Sequence, residues 1–196
     1  MILLTETNMP RVENLSYFGK RDEAQVIYNF PLPPLIVHAM MTGTAEHLAR
    51  WQRAMPPAPL GCSYLNFTAS HDGIGVRPAV GLLNAHDQTE VIDTIKRIGG
   101  PVSMRALPGV GEAPYELNCT FFDAMSQTVA GPDAHLIARF TCSQTIVMSL
   151  EDIPAFYPLF AGHPERSRQR RKTRHESRDQ SPPPGLQRLA RTPGRA

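Results

Sequence analysis

Apolar positions in this chain fall into short runs that end in polar residues, separated by stretches with helical spacing. Ile2-Leu3-Leu4 leads into Thr5-Glu6, Glu23 to Phe30 is a second such run, and Tyr64 to Ala69 leads into Ser70-His71-Asp72. Ile153 to Tyr157 has the same character. Short continuous apolar runs suit strands buried on both faces, as in a parallel sheet. Helices are predicted over Pro33 to Thr42 and Thr44 to Met55, broken at Gly43, with Thr44 capping the second and Pro56 and Pro57 stopping it. Val91, Ile92, Ile95 and Ile98 mark a third helix over Asp87 to Ile98, closed by Gly99-Gly100. A fourth is expected over Asp133 to Leu150, capped near Asp133. The segment through Gly19 reads as a polar loop, and Val102 to Asn118 as irregular chain or a hairpin inserted between helices. Strands alternating with helices favour an α/β architecture with parallel strands.

Composition changes this picture in one place. The chain has 196 residues, 41% of them hydrophobic, enough for one sizeable core, and a formal charge of +2. That charge is unevenly spread. Pro164 to Ala196 holds ten Lys/Arg against three Asp/Glu, or +7, and the remainder ten against fifteen, or −5. Cys62, Cys119 and Cys142 are far apart and odd in number, which points to reduced thiols in a cytoplasm rather than a disulfide framework. No signal-peptide pattern opens the chain. Its longest apolar run, Phe30 to Met41, is broken by three prolines and falls short of the roughly 20 residues a membrane span needs. Trp51, with Leu48 and Met55 on its helix face, reads as core, and Met40, Met41, Met125 and Met148 as core filler. His38 and His47 read as structural, and no His, Cys or Asp cluster has metal-ligand spacing, so no metal is expected.

The candidate chemistry sits where strands end: Glu6 after the first, His71 and Asp72 after the third, and Tyr157 in the last. In a (β/α)8 barrel the site is built on the C-terminal face from the ends of several strands. Two carboxylates there suit glycoside chemistry, one of them protonating the leaving oxygen. Taken alone, a strand-end Glu is more often a solvated loop carboxylate, and a His-Asp pair is common by chance.

Five segments in order carry a resemblance that makes the reading specific. SHDGIG (Ser70 to Gly75) resembles the strand-7 signature of the α-amylase family, glycoside hydrolase family 13, in its sucrose phosphorylase and glucosylglycerate phosphorylase branch. LLTETN (Leu3 to Asn8) is similar to the strand-5 signature that bears the general acid/base. The stretches Tyr28 to Gly43, Tyr115 to Met125 and Cys142 to Tyr157 resemble the same branch. The resemblance implies that residues 1–157 are the C-terminal half, about strands 5–8, of a barrel that needs about 250 residues when complete. It implies Glu6 as acid/base, Asp72 as the carboxylate that stabilises the transition state, His71 as a sugar hydrogen-bond donor, and Tyr115 and Glu116 in the acceptor or phosphate subsite. The implied reaction is retaining transfer of glucose from an α-glucoside to inorganic phosphate, with no cofactor. The family's nucleophile belongs to an Arg-x-Asp signature on strand 4, which is absent from these residues, so the chain is expected to be inactive alone. The open alternative is a split barrel, active with a chain that supplies the other half.

Beyond Tyr157 the resemblance stops, and residues 158–196 form a basic Pro/Arg-rich segment with almost no apolar periodicity, expected to be a disordered tail. It could serve a nucleic-acid-binding protein. Codons permitted for Pro164 to Gln187, read one base later, can instead spell a sequence resembling the branch's own continuation, so an out-of-frame origin is the preferred expectation.

Overall fold

The computed structural model describes residues 1–156 apart from Pro10, Pro108 and Val110. Tyr157, the boundary expected after it and the basic segment lie outside the described residues. The chain runs β1 (Leu4–Thr5), α1 (Arg11–Ser16), β2 (Val26–Tyr28), α2 (Leu32–Thr42), α3 (Glu46–Ala54) and β3 (Ser63–Asn66). It continues with β4 (Ile74–Gly75), α4 (Ala85–Arg97), β5 (Val102–Leu107), β6 (Gly111–Leu117) and α5 (Phe121–Ala124). The last elements are β7 (Gln127–Thr128), β8 (Gly131–Pro132), α6 (Leu136–Ser149) and β9 (Ile153–Pro154).

Four of the strands make one parallel sheet in the order β1-β2-β3-β9, with Leu4 opposite Val26, Val26 opposite Ser63 and Leu65 opposite Ile153. These are the four apolar runs of the sequence. Parallel neighbours need a crossover, and helices supply it between each later pair. The α/β architecture with a parallel sheet is therefore observed. The long excursion between β3 and β9 adds a separate antiparallel sheet in the order β4-β6-β5, so Val102 to Asn118 contains a hairpin, with a register shift between Ser103 and Met104.

The main core gathers on α2. Leu32, Leu35, Ile36, Val37 and Met41 are buried with Trp51 of α3, Val91 and Ile95 of α4, and Val147 of α6. A helix apolar on every side must be covered on every side. Full burial of each such aliphatic side chain contributes about 1.5–3 kcal/mol. Pro31, Pro33 and Pro34 fit the opening turn of α2, where no N–H is needed, and Gly43 ends it at φ +77°. Trp51 is core as expected.

Three local expectations are corrected. Helix α3 begins at Glu46 behind Ala45, and Thr44 merely accepts the Glu46 N–H through its hydroxyl at 3.4 Å. Helix α6 begins at Leu136; Asp133 instead accepts from the His135 N–H at 2.8 Å and pairs with Arg139 at 2.7 Å, which holds its carboxyl down at about 2. Met148 is exposed, because the buried side of α6 is carried by Ser143 and Val147.

Candidate active site

The polar ends of β1 and β3 lie on one face, because both strands run parallel to the β2 between them. Glu6 follows β1 directly and is exposed. Its loop is tied down at the very next residue by the chain's own hydrogen bonds. Thr7 donates its hydroxyl to the Asn14 amide oxygen at 3.4 Å, and Asn14 Nδ2 donates to the Tyr28 carbonyl at 2.7 Å. Helix α1, read from sequence as loop, is the element that brings Asn14 there. Burial raises the Tyr28 hydroxyl pKa and the negative charge of Glu6 raises it further; the two residues follow the paired Thr5 and Ile27 at the ends of neighbouring strands.

His71 and Asp72 occupy the tight turn between β3 and β4. His71 Nε2 lies 3.4 Å from Asp72 Oδ2, both side chains more than half exposed. The turn is fixed from beneath. Ser70 and Gly73 bridge each other, Ser70 Oγ accepts the Asp72 N–H at 3.3 Å, and Asn118 Nδ2 donates to the Asp72 carbonyl at 3.0 Å. Gly73 has φ +117°, and a Cβ there would lie 2.2 Å from the Leu117 carbonyl oxygen. No other residue type fits that turn without moving β6. Gly75 plays a different part: a Cβ on it would meet the Asn8 amide at 2.7 Å, so its bareness lets the loop after β1 press against β4.

Glu116 stands opposite Gly75 across the β4–β6 pairing. Burial raises its carboxyl above the ordinary value and the Asp72 charge raises it further, while Asn8, Arg105 and His71 pull it down. His71, Asp72 and Glu116 are thus brought into one electrostatic neighbourhood with Asn8 of the β1 loop. Tyr115 precedes Glu116 on β6, with the Arg105 guanidinium 4.8 Å above its ring. Glu6 joins this face through its position after β1; its described electrostatic partner is Tyr28. Such an arrangement offers an exposed carboxylate, a His-Asp pair and a second, part-buried carboxyl, groups capable of general acid/base work.

Residues that sequence reasoning passed over hold the strand ends in place. Asn29 donates to Asn66 at 2.8 Å, and Asn66 donates to the Glu151 carbonyl at 2.7 Å, linking β2, β3 and the entry to β9. Both asparagines are buried. A cavity of about 210 Å³ opens beside them, lined by Gln52, Tyr64 and Asp152 among others, away from His71 and Asp72.

Among the described residues, no helix is long and apolar enough to cross a membrane. The three cysteines form no disulfide.

No family profile matches the chain. Individual proteins do. A glucosylglycerate phosphorylase of Allomeiothermus silvanus is 41% identical over 186 residues, which is 90% of this chain and 33% of that protein. A glucosylglycerate phosphorylase of Escherichia coli is 36% identical over 157 residues, 80% of this chain and 28% of its own length. A sucrose phosphorylase of Agrobacterium vitis is 33% identical over 145 residues, 65% of this chain and 27% of its own. This chain therefore spans between 26% and 33% of the length of these curated relatives. Among solved structures, sucrose 6F-phosphate phosphorylase from Thermoanaerobacter thermosaccharolyticum superposes with a TM-score of 0.62 at 21% identity, over 80% of this chain and 30% of that one, a likeness of fold. Over the stretch it shares with these proteins, the chain belongs to the glucosylglycerate and sucrose phosphorylase branch of the α-amylase family.

Proposed function

We propose that this chain carries the acid/base half of a retaining glucoside phosphorylase, with β1, β2, β3 and β9 as strands 5–8 of an eight-stranded barrel. The observation that carries the reading is that Glu6 and the His71-Asp72 pair follow parallel strands of one sheet and end on its C-terminal face. That is where such barrels do their chemistry.

In the proposed reaction an aspartate from outside these residues attacks the anomeric carbon of an α-glucoside, and the bond to the leaving oxygen breaks. Glu6 gives that oxygen its proton. A phosphate oxygen then attacks the same carbon, the enzyme ester breaks, and Glu6 takes a proton back. Two inversions leave the product as α-glucose 1-phosphate. Asp72 holds sugar hydroxyls most tightly when the ring approaches an oxocarbenium ion, with His71 donating beside it. Tyr115 and Glu116 shape the side on which the acceptor or phosphate enters. Inorganic phosphate is a co-substrate, and the chemistry needs no cofactor.

Glycerate is the acceptor best supported, since the relatives at 41%, 40% and 36% identity are all named glucosylglycerate phosphorylases. The sucrose phosphorylases match at 33% and 27%. Fructose, phosphorylated fructose and glycerol are the competing choices. The cytoplasm is the proposed compartment. The other half of the barrel comes either from the same protein or from a partner chain.

The test is a chimera in which residues 2–156 replace the matching segment of the Allomeiothermus silvanus relative. Phosphate-dependent release of α-glucose 1-phosphate from glucosylglycerate is expected, exceeding that from sucrose or glucosylglycerol. A folded chimera that releases none from any of the three donors contradicts the reading.

A further inference from the structure

The helix layer holds a buried imidazole whose Nδ1 has no hydrogen-bond partner. His38 of α2 is 1% exposed. Its Nδ1 has no partner, and its Nε2 lies 3.8 Å from Asp87 Oδ2, beyond hydrogen-bonding reach. Nε2 is the ring nitrogen that faces the carboxylate.

The surroundings favour an ion. His47 of α3 places Nε2 2.7 Å from the same Asp87 oxygen, and its ring stands edge-on to His38 with centroids 5.1 Å apart. Asp87 lies in the first turn of α4, and Asn84 Nδ2 orients its carboxylate from 2.8 Å. The three donor atoms fall within 4.8 Å of one another. We propose that His38, His47 and Asp87 form a site for a divalent transition metal of the zinc type, fastening α2, α3 and α4 together, with water at the fourth position.

The geometry is close to what such an ion requires. Bonds of about 2.0–2.2 Å in a tetrahedron put neighbouring donors roughly 3.3 Å apart. The observed 2.7 and 3.8 Å to Asp87 bracket that value, and the two imidazole donors lie within 4.8 Å of each other. The carboxylate supplies one compensating charge.

One contact opposes the ion. Arg50 Nη2 lies 2.5 Å from His47 Nδ1, and a guanidinium can only donate. In the metal-free chain Nδ1 is therefore the acceptor, and the Nε2–H of His47 donates to Asp87. Metal binding requires the proton to move to Nδ1 and Arg50 to withdraw. Its side chain is 59% exposed, and Glu46 at 3.9 Å is an alternative partner. Arg50 is thus a competitor of the metal. A second cluster, His86, Asp87 and Glu90, shares the aspartate, but its histidine is exposed and none of its members is buried.

The experiment is a Co²⁺ titration of the full, tag-free chain after chelator treatment, followed by its visible d–d absorption and by thermal unfolding, with Zn²⁺ as displacing ion. One equivalent is expected to bind and raise the melting temperature. His47→Ala and Asp87→Asn, at part-exposed positions, should each weaken binding by at least about tenfold. Arg50→Ala should tighten it several-fold, and His86→Ala should leave it unchanged. Absence of saturable one-equivalent binding overturns the site. So does binding that survives His47→Ala, or that is lost with His86→Ala instead.

Discussion

Helix α2 and strand β1 are built from nearly the same apolar residue types and meet opposite fates. Ile36 of α2 is fully buried, enclosed by side chains from α3, α4 and α6, whereas Leu4 of β1 is 50% exposed and Met1, Ile2 and Leu3 lie in solvent contact. β1 pairs with β2 on one side only within the described residues. Hydrophobicity therefore states that a segment is to be covered, and the neighbours available decide whether it is. In the proposed full barrel a further strand would stand against β1, and an uncovered apolar edge of this kind invites association.

That contrast can be broken most directly by truncation. Ile36→Ala is expected to cost about 2–5 kcal/mol, and Leu4→Ser no more than about 0.5 kcal/mol, read from urea midpoints at unchanged slope. Equal losses would mean that β1 contributes to the core as fully as α2. The next largest effect separates two glycines. Gly73→Ala should cost about 1–3 kcal/mol, because φ is +117° and the added carbon meets the Leu117 carbonyl at 2.2 Å. Gly43→Ala, at φ +77° with nothing within 4 Å, should cost only about 1 kcal/mol. Asn66→Ala, which strands the Asn29 amide and the Glu151 carbonyl, should fall in a similar range of about 1–3 kcal/mol.

The smallest effect lies at the candidate site and has the opposite sign. The Glu116 carboxyl is raised above 4.5, by burial first and by Asp72 second. A raised acid binds its proton more tightly folded than unfolded, so its contribution is present below 4.5 and is lost as pH rises through the folded value. Glu116→Gln is expected to flatten that decline and raise stability slightly at neutral pH, measured by unfolding at a series of pH values. A loss of stability at neutral pH would show that the charge is better compensated than its surroundings indicate.

The legible part of this protein followed from local pattern. The four parallel strands are the four apolar runs, and α2 and α4 follow from apolar spacing closed by Gly43 and Gly99. Glu6 and the His71-Asp72 pair were visible because polar residues directly follow those runs. Helix α1 was not legible, since only Asn14 among its six residues is buried and no apolar stripe marks it. The asparagine chain linking β2 to β9 was hidden for a related reason: Asn29 and Asn66 look like turn residues until the sheet brings them together. His38, His47 and Asp87 span 49 positions on three helices, so no ligand spacing could show them. Long-range contacts of this kind become readable only when the packing is known.

The most direct test of the account is leaving-group dependence in the chimera carrying Glu6→Gln. A general acid is needed when the departing oxygen is poor and dispensable when the leaving group is good. Turnover of glucosylglycerate with phosphate should fall by about 10²–10⁴-fold, while turnover of α-glucosyl fluoride should be largely retained. Asp72→Asn should depress both. An equal loss on both substrates with Glu6→Gln would contradict the assignment of Glu6 as the acid, and with it the proposed role of this face.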